Sequence, residues 1–341
     1  MTALELLAVS GVLSVQDMGR PGHLAQGLSR GGAMDRLALT EAAALLSQPA
    51  PAAAIEMAGA GGTFTARQPM RVALTGAPMR ADLDGRPLVW HATHLIEPGQ
   101  RLRIGPAEAG VYGYLTPAGG LRTPEWLGSR AAHLAIGLGG TLSPGAVLAC
   151  GPDPDPGQPA RHITPQPRFT GGTLRLIDGP QTALFAPEDH AAFLGATFRP
   201  GARSNRQGIE LTAARRFQAR LPQGGLASDV IGPGDVQLAG DGVPYVLMAE
   251  CQTIGGYPRI GTVLPDDLPR LAQAAPGTPL RFAHLTRAQA RATCRPEAAQ
   301  LTAARARVAA LIRDPSTMAD LLAYNLISGV VRGDEDCADE D

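Results

Sequence analysis

Segment 250–263 concentrates side chains that could hold an anion. It is polar and Gly-rich, and it lies between two strand-like runs. An amide, hydroxyls and a guanidinium with five donors together suit a carboxylate, carboxyphosphate or phosphate, which favours oxyanion handling over a proton-transfer triad. The alternative is a tight turn with a solvated arginine. The candidate catalytic residues here are Gln252, Thr253, Tyr257 and Arg259, and the candidate binding residues are Glu250, Gly255 and Gly256, whose Gly-Gly pair permits left-handed backbone or close approach of a ligand.

A second polar segment precedes the first. Asn205 and Arg206 complete the candidate catalytic set, and Arg203 and Ser204 would help them clamp an anion at the mouth of a barrel. The alternative is an ordinary polar turn, with the asparagine tolerating a left-handed conformation. Asparagine occurs at only two positions of the chain, 205 and 325, so composition alone does not explain its presence here.

Two short motifs in the first half form a third candidate group for binding substrate or phosphate. Asp17 and Arg20 lie in a Gly- and Pro-rich turn, and Ser129 and Arg130 follow Gly128 at a position suited to a helix start that receives an anion. A salt bridge between Asp17 and Arg20 that stabilises the turn is an equally good interpretation.

Composition excludes several kinds of chemistry. The chain has 341 residues and a net charge of -1, so no nucleic-acid footprint is expected. It contains no lysine, which excludes a Walker A lysine, a Schiff base and covalent biotin on this chain. The four cysteines show no C-x-x-C spacing, which argues against a zinc site and a disulfide framework and fits a reducing cytoplasm. No stretch is long and apolar enough to span a membrane.

Histidines do not indicate a metal site. His91 and His94 follow the Asp84-Gly85 turn on an expected strand, where residues three apart face opposite sides. We therefore interpret both as structural and predict no metal site.

The element pattern predicts sheets rather than helices. Short apolar runs between Gly and Pro turns are typical of antiparallel sheets and barrels, with hairpins at Asp84-Gly85 and Asp241-Gly242. A strand is expected within residues 6–15 and another within residues 244–249. Asp35 is a good N-cap for a helix over residues 36–46.

The domain prediction rests on composition shifts. Prolines crowd residues 151–167, which suits a surface linker rather than a central strand. Related elements at 98–103 and 276–281 suggest a weak internal repeat, with residues 252–273, including a short helix near Asp266, inserted in the second copy. The predicted divisions are a first barrel over 1–150, the linker over 151–167, a second barrel over 168–285, helices over 286–332 and a disordered acidic tail over 333–341.

Within the helical region, Pro296 and the Asp314-Pro315 pair each mark a helix start, and Gly329 marks an end. These helices would cover a barrel face or a partner.

Several motifs occur in the same order as in one known family. They run from about residue 11 to about residue 283 and lie at 15–22, 32–35, 75–77, 114–120, 127–130, 204–208 and 247–263. On these motifs the chain resembles the carboxyltransferase-type family of the 5-oxoprolinase C subunit, which includes an antagonist of a sporulation-kinase inhibitor and the carboxyltransferase portion of urea amidolyase. The resemblance implies a mainly β fold of two tandem cyclophilin-like β-barrels with a few short helices and a C-terminal helical tail.

The same resemblance implies an activity. The chain would be one subunit of an ATP-dependent hydrolase that opens 5-oxoproline to glutamate. ATP, with Mg2+, would bind at a site shared with a sister subunit of similar barrel type, and a third protein would complete hydrolysis. Two alternatives remain: the carboxyltransferase component of a biotin-dependent urea system, with biotin on a partner, or a non-enzymatic antagonist of a kinase inhibitor.

Two departures from the family pattern affect this expectation. Cys251 stands where the family usually has an arginine, and Ala131-Ala132 stand where it has a Ser-Thr pair. Functions that need the second cation or those hydroxyls are therefore not expected here.

Overall fold

The structure is a computed structural model that describes residues 2–312. The fold is mainly β, and among these residues no helix is long and apolar enough to cross a membrane. The strands are β1 Ala3–Val9, β2 Val12–Gln16, β3 Ala54–Ala58, β4 Gly62–Ala66, β5 Met70–Gly76, β6 Met79–Leu83, β7 Arg86–Pro87, β8 Ala92–Ile96, β9 Leu102–Ala107, β10 Tyr112–Pro117, β11 Val147–Ala149, β12 Arg161–Ile163, β13 Gly172–Ile177, β14 Arg199–Pro200, β15 Gly208–Thr212, β16 Asp229–Val230, β17 Asp235–Leu238, β18 Pro244–Leu247, β19 Ile254–Gly255, β20 Arg259–Val263, β21 Leu280–His284 and β22 Val308–Ala310. The α-helices are α1 Arg36–Leu45, α2 Pro187–Gly195, α3 Leu268–Ala272, α4 Arg287–Thr293 and α5 Glu297–Arg305.

The first half contains two sheets around a shared apolar core. One has the order β11-β1-β4-β9-β6-β7, and the other β2-β3-β10-β5-β8-β12-β22. Leucine, isoleucine, valine and methionine side chains from both sheets fill the space between them. The chain after residue 140 connects the sheets, because β11 pairs with β1 and Leu142 N donates to Leu13 O at 2.8 Å.

The second half is one curled sheet with the order β14-β15-β18-β17-β20-β13-β21. Its ends meet, because the backbones of Phe198 and Leu280 exchange two hydrogen bonds of 2.8 Å just before β14 and at the start of β21. Four phenylalanines pack together in its core: Phe193, Phe198, Phe217 and Phe282.

Several local predictions are confirmed. Asp84 and Gly85 turn between β6 and β7 with φ of 51° and 84°, as a two-residue hairpin of this hand requires. Asp241 and Gly242 lie in the turn from β17 to β18. Asp35 caps α1, its carboxylate accepting from Ala38 N at 3.1 Å.

Other predictions need correction. The opening run is two strands, because the chain turns at Gly11, where a Cβ would lie 2.2 Å from Ala60 O. Segment 151–167 is more than a linker, since it contains β12, which pairs with β8 and β22. The suggested repeat is not reflected in strand pairing: β9 is antiparallel to β4 and β6, whereas β21 is parallel to β13.

The C-terminal region returns to the first half. Pro296 immediately precedes α5, as predicted, and α5 packs against α1. After α5, β22 joins the sheet of the first half beside β12. The predicted helix at Asp314-Pro315, its end at Gly329 and the tail 333–341 lie outside the described residues.

Buried polar contacts join the two halves. Arg168 donates to Asp35 and to Glu41, each at 2.7 Å. Gln273 donates to Asp35 at 2.8 Å and accepts from the backbone of Tyr112 at 3.0 Å. Burial alone would lower the pKa of Arg168, but the two carboxylates outweigh it and raise the pKa. The halves are therefore held in one fixed relation.

Candidate functional site

Segment 250–263 leaves the second barrel at the end of β18 and returns to it as β20. Between them β19 pairs with β16 in a two-stranded ribbon. The strands that follow, β17 and β20, also pair with each other, so the ribbon extends the barrel wall. The segment is therefore more ordered than a loop, and its side chains have a rigid support.

A cavity of about 280 Å3 lies beside this ribbon, and we call it the loop pocket. It unites the two predicted segments of the second half at one concave site. The predicted residues that line it are Arg203, Asn205, Gln252 and Tyr257. The residues that sequence reasoning missed are Gln207, Gly208, Gln237, Ala239, Tyr245 and Leu247.

Gln237 gives the loop pocket a buried donor. The residue is only 8% exposed, and its Nε2 has no hydrogen-bond partner among the described residues. Leaving a buried donor unpaired costs about 1–3 kcal/mol. A ligand with an acceptor oxygen would remove that cost. The sequence did contain a signal: one amide between the apolar Val236 and Leu238 in a short strand.

The glycines act here through their size. Neither Gly255 nor Gly256 has a left-handed φ, so the first of the two predicted reasons for this pair is wrong. A Cβ on Gly255 would lie 3.0 Å from Gln237 Nε2, and one on Gly256 would lie 3.2 Å from Leu226 O. Glycine at 255 therefore leaves room beside the unpaired amide.

Arg203 is a neutralised cation of this pocket. Its Nη2 lies 2.6 Å from Glu210 Oε1, and its guanidinium lies 5.5 Å over the Tyr245 ring. The hydrogen bond that Arg203 donates to the Glu210 carboxylate raises the pKa of Arg203, and the same contact lowers the pKa of Glu210. Because its side chain is 63% exposed, the cation remains within reach of a ligand.

Asn205 and Ser204 form a turn. The Asn205 Oδ1 accepts from Gln207 N at 2.7 Å and from Gly208 N at 3.3 Å. Ser204 Oγ donates to Gly201 O at 2.8 Å. These are the bonds of the turn interpretation, although Asn205 also lines the loop pocket.

Arg206 lies between the two halves of the molecule. Its nitrogens donate to Glu250, to Glu56 of the first half and, at 2.7 Å, to Gly32 O. Burial alone would lower the pKa of Arg206, but the charges of Glu56 and Glu250 raise it. All three of its nitrogens have partners inside the protein, and the oxyanion role of Arg206 stays a prediction.

Arg259 also has partners inside the protein for each of its nitrogens. Its Nε donates to Gln181 at 2.7 Å, its Nη1 to Asp235 at 3.0 Å, and its Nη2 to Asp229. The residue is buried and connects the ribbon to the barrel. The oxyanion role of Arg259 likewise stays a prediction.

The remaining residues of this segment divide between surface and interior. Gln252 and Tyr257 are exposed at the loop pocket. Thr253 is buried, and its carbonyl accepts from Ile231 N at 3.0 Å. Glu250 is buried, and its Oε2 accepts from Ala135 N at 2.9 Å.

The first-half motifs form a separate cluster. Asp17 accepts from Ser129 Oγ at 2.6 Å and from Arg130 N at 2.7 Å. Arg20 pairs instead with backbone carbonyls, including that of Ala131, so the suggested Asp17–Arg20 salt bridge is not formed. None of Asp17, Arg20, Ser129 and Arg130 lines the loop pocket.

Both departures from the family pattern lie in the interior. Cys251 packs with Ile231 and Leu247, and burial raises the pKa of its thiol to about 12. Ala131 and Ala132 are both buried. The sulfur and the two methyl groups therefore serve packing.

A larger cavity of about 700 Å3, which we call the cleft, lies between the two halves and the C-terminal helices. It is lined by residues near the start of α1, by the region around α3 and by the start of α5. Met248 and Ala249 face the cleft, whereas Leu247 and Gln252 face the loop pocket. The two cavities thus lie on opposite sides of one chain segment.

The histidines considered as ligands bind backbone instead. His91 Nε2 lies 2.9 Å from Gly76 O, and His94 Nε2 lies 2.8 Å from Val89 O. Burial lowers the pKa of both. Within residues 2–312 no group of three or more His, Cys, Asp or Glu is placed to hold a metal ion.

Known proteins are similar to this chain in both sequence and fold. Residues 26–284 match the family model described as carboxyltransferase domain, subdomain A and B. The chain is 33% identical over 284 residues to the C subunit of 5-oxoprolinase from Escherichia coli (strain K12), covering 82% of this chain and 90% of that protein. It is 26% identical over 306 residues to urea amidolyase of Lachancea kluyveri, covering 82% of this chain and 17% of that protein.

A solved structure is similar to this chain in fold and in sequence. The crystal structure of TTHA0988 has a TM-score of 0.74 and 33% identity, covering 83% of this chain and 56% of that chain. The chain therefore spans little more than half the length of that relative.

Proposed function

Because the chain belongs to the family of carboxyltransferase domains with subdomains A and B, we propose that it is one subunit of an ATP-dependent lactam or amide hydrolase that opens 5-oxoproline to glutamate. The loop pocket would bind the lactam. The observation that carries this proposal is the unpaired Gln237 Nε2 in a small, mainly apolar cavity, since such a donor suits a carbonyl oxygen.

Ring opening of a five-membered lactam requires a more electrophilic carbonyl carbon. The lactam oxygen would take the terminal phosphoryl group of ATP with release of ADP. Water would then add to the ring carbon, the C–N bond would break, and a second water would release phosphate from the resulting acyl phosphate to give glutamate. Hydrogen-bond donors lower the barrier when they bind the transition state of these steps more strongly than the ground state. Gln237 would donate to the lactam oxygen, while Gln252 and Tyr257 would orient the ring and Arg203 would meet its carboxylate.

The loop pocket does not suit a triphosphate. Of its lining residues only Arg203 is a cation, and Glu210 already neutralises it. We therefore place the lactam alone in this pocket.

Partner subunits belong to the proposal. The relative from Escherichia coli is named as a subunit. A sister subunit of similar barrel type would share the ATP and Mg2+ site, and a third subunit would complete hydrolysis.

The test is ADP release by this chain co-expressed with the sister and third subunits, with and without 5-oxoproline. We expect Gln237→Leu to raise the KM for 5-oxoproline about tenfold, the loss of one hydrogen bond. Gln48→Leu is the matched control, because Gln48 is also buried but lies outside both cavities. An unchanged KM in Gln237→Leu would reject this pocket, and no substrate-dependent ADP release from an intact complex would reject the 5-oxoproline activity.

A carboxyltransferase role is the second candidate, favoured by the matched family model and by the urea amidolyase relative. Because the chain contains no lysine, a partner would carry biotin. Urea-dependent transfer from a biotinylated partner protein, in place of 5-oxoproline-dependent ADP release, would establish it.

A further inference from the structure

The cleft between the two halves is rich in arginine. Its 23 lining residues include five arginines, Arg30, Arg36, Arg175, Arg270 and Arg295, against three acidic residues, Asp266, Asp267 and Glu297. We propose that the cleft binds a ligand with two or more phosphate or carboxylate groups. The proposal rests on the cleft alone, and only the identification of that ligand as ATP would rest on the proposed function.

The arginines differ in how far they are neutralised. Arg175 is matched, since Asp267 accepts from its Nε at 2.9 Å and its Nη2 at 2.8 Å. Arg270 donates to Gly171 O at 2.7 Å, a neutral acceptor that leaves its charge uncompensated. The cleft therefore combines finished ion pairs with available positive charge.

Arg36, the first residue of α1, is only weakly compensated. Its nearest anion among the described residues is Glu297, whose Oε1 is 3.9 Å from Nη1, beyond hydrogen-bond distance. Burial, reinforced by the neighbouring Arg30 charge and opposed by Glu297, lowers the pKa of Arg36 to about 10. The cation stays charged near neutral pH, but its surroundings would stabilise it better with an added anion.

Glu297 indicates where such an anion would bind. This first residue of α5 accepts from Arg30 Nη2 at 2.9 Å, and the same oxygen is the one nearest Arg36. Its side chain is 55% exposed, so it can give way. The carboxylate thus occupies the position of one ligand group, and a bound ligand would compete with it.

The rest of the cleft wall is suited to the uncharged part of such a ligand. Met18, Met34, Leu37, Met248 and Leu268 contribute apolar surface beside the arginines. The volume of about 700 Å3 lies in the usual range of small-molecule sites, about 300–1,000 Å3. An oligophosphate carried on a nucleoside and a polycarboxylate both satisfy these requirements.

The experiment is calorimetric titration of the full chain at low salt with tripolyphosphate, ATP and citrate as three separate probes. We expect micromolar to submillimolar binding of at least one probe. Arg36→Gln should weaken binding about tenfold, and Glu297→Gln should strengthen it by a few-fold because a competing carboxylate is removed. Arg80→Gln is the control, since Arg80 is a surface cation paired with Glu108 outside the cleft.

The outcomes are distinct. Tighter binding of ATP than of tripolyphosphate assigns the site to a nucleotide, and binding of citrate alone assigns it to a polycarboxylate. No binding of any probe, or equal losses in Arg36→Gln and Arg80→Gln, overturns the proposal. An unfolding scan confirms that Arg36→Gln is folded, and Glu297→Gln tests the same site in the opposite direction. Binding to the cleft without any 5-oxoproline-dependent ADP release would leave this inference intact and reject the proposed function.

Discussion

Arg206 lies between the two halves of the molecule and donates to two carboxylates and one carbonyl, whereas Gln237 lines the loop pocket with a donor that has no partner among the described residues. Both residues have little contact with solvent. Every nitrogen of the Arg206 guanidinium has a partner, as the stability of a buried cation requires. Other buried atoms of the described residues, such as His133 Nδ1 and Gln48 Oε1, also lack hydrogen-bond partners, but of these residues only Gln237 lines one of the two cavities. An unpaired buried donor that also lines a cavity is therefore what marks the site, because a ligand can reach it and remove the cost of its burial.

The largest expected change in the free energy of unfolding comes from removing the buried Arg206 cation. Arg206→Met leaves Glu56 and Glu250 buried without their cation, and it should lower the free energy of unfolding by about 3–5 kcal/mol. Urea unfolding measures the loss. Arg203→Met, which removes a solvent-exposed arginine paired with Glu210, is the control and should cost much less, because exposed ion pairs contribute little to stability. Equal losses in the two variants would contradict the contrast.

The next change in the free energy of unfolding has the opposite sign. Gln237→Leu removes a buried unpaired amide, so the free energy of unfolding should rise by about 1–2 kcal/mol while 5-oxoproline binding weakens. Urea unfolding in the absence of substrate measures the first change. Gln273→Leu is the matched comparison, since its amide is fully bonded to Asp35 and Tyr112 O and the variant should be destabilised. A destabilised Gln237→Leu protein would mean that its amide already has a partner.

A smaller effect depends on pH. His133 lies near Arg206, with its Nε2 2.9 Å from Ser29 Oγ and its Nδ1, which has no hydrogen-bond partner among the described residues, 3.9 Å from Glu250. Burial lowers the pKa of His133, opposed by the Glu250 charge and reinforced by Arg20 and Arg206. The unfolded chain therefore takes up a proton below about pH 6.5 that the folded protein resists, so stability falls as the pH falls.

The slope from this residue should not exceed about 1.4 kcal/mol per pH unit. Urea unfolding at pH values on both sides of about 6.5 measures it. His133→Gln should remove this part of the pH dependence. His23→Gln should leave the pH dependence unchanged, because His23 is not one of these contacts. A variant with an unchanged slope would show that another group titrates.

The smallest effect concerns the reactivity of cysteine thiols, which should differ between the cleft and the interior. Cys294 is exposed and lines the cleft, whereas burial raises the pKa of the Cys150 and Cys251 thiols to about 11 and about 12. Iodoacetamide should therefore modify Cys294 in the folded protein and the other two only after unfolding. Peptide mapping measures each site. Tripolyphosphate should slow modification of Cys294 if it fills the cleft, and modification of Cys251 in the folded state would contradict its placement.

Much of the fold could be predicted because its signals are local. An Asp-Gly pair with the right neighbours predicts a hairpin, and an aspartate before an apolar helix predicts a cap. The pairing of β12 with β22 could not be predicted, because it joins segments almost 150 residues apart whose composition suggests a linker and a tail. Closure of the second barrel through Phe198 and Leu280 is equally non-local.

The site was predicted in part for a related reason. The sequence identified segments 203–206 and 250–259, which do meet at the loop pocket. It could not tell which arginines face a cavity, since that depends on carboxylates such as Glu56 and Asp229 that are distant in the chain. Gln237 and Arg36 were missed because their importance lies in what they lack, and a sequence does not record an absent partner.

The return of α5 and β22 to the first half has a consequence for synthesis. The ribosome completes the first half's strands up to β12 long before residues 297–310 emerge, and in that interval β12 is a sheet edge and the α5-facing surface of α1 is bare. The first half therefore cannot be completed until the second half has been synthesised. A chain that stops after β21 would lack the partner of β12, and that open edge would be a site for association between nascent chains.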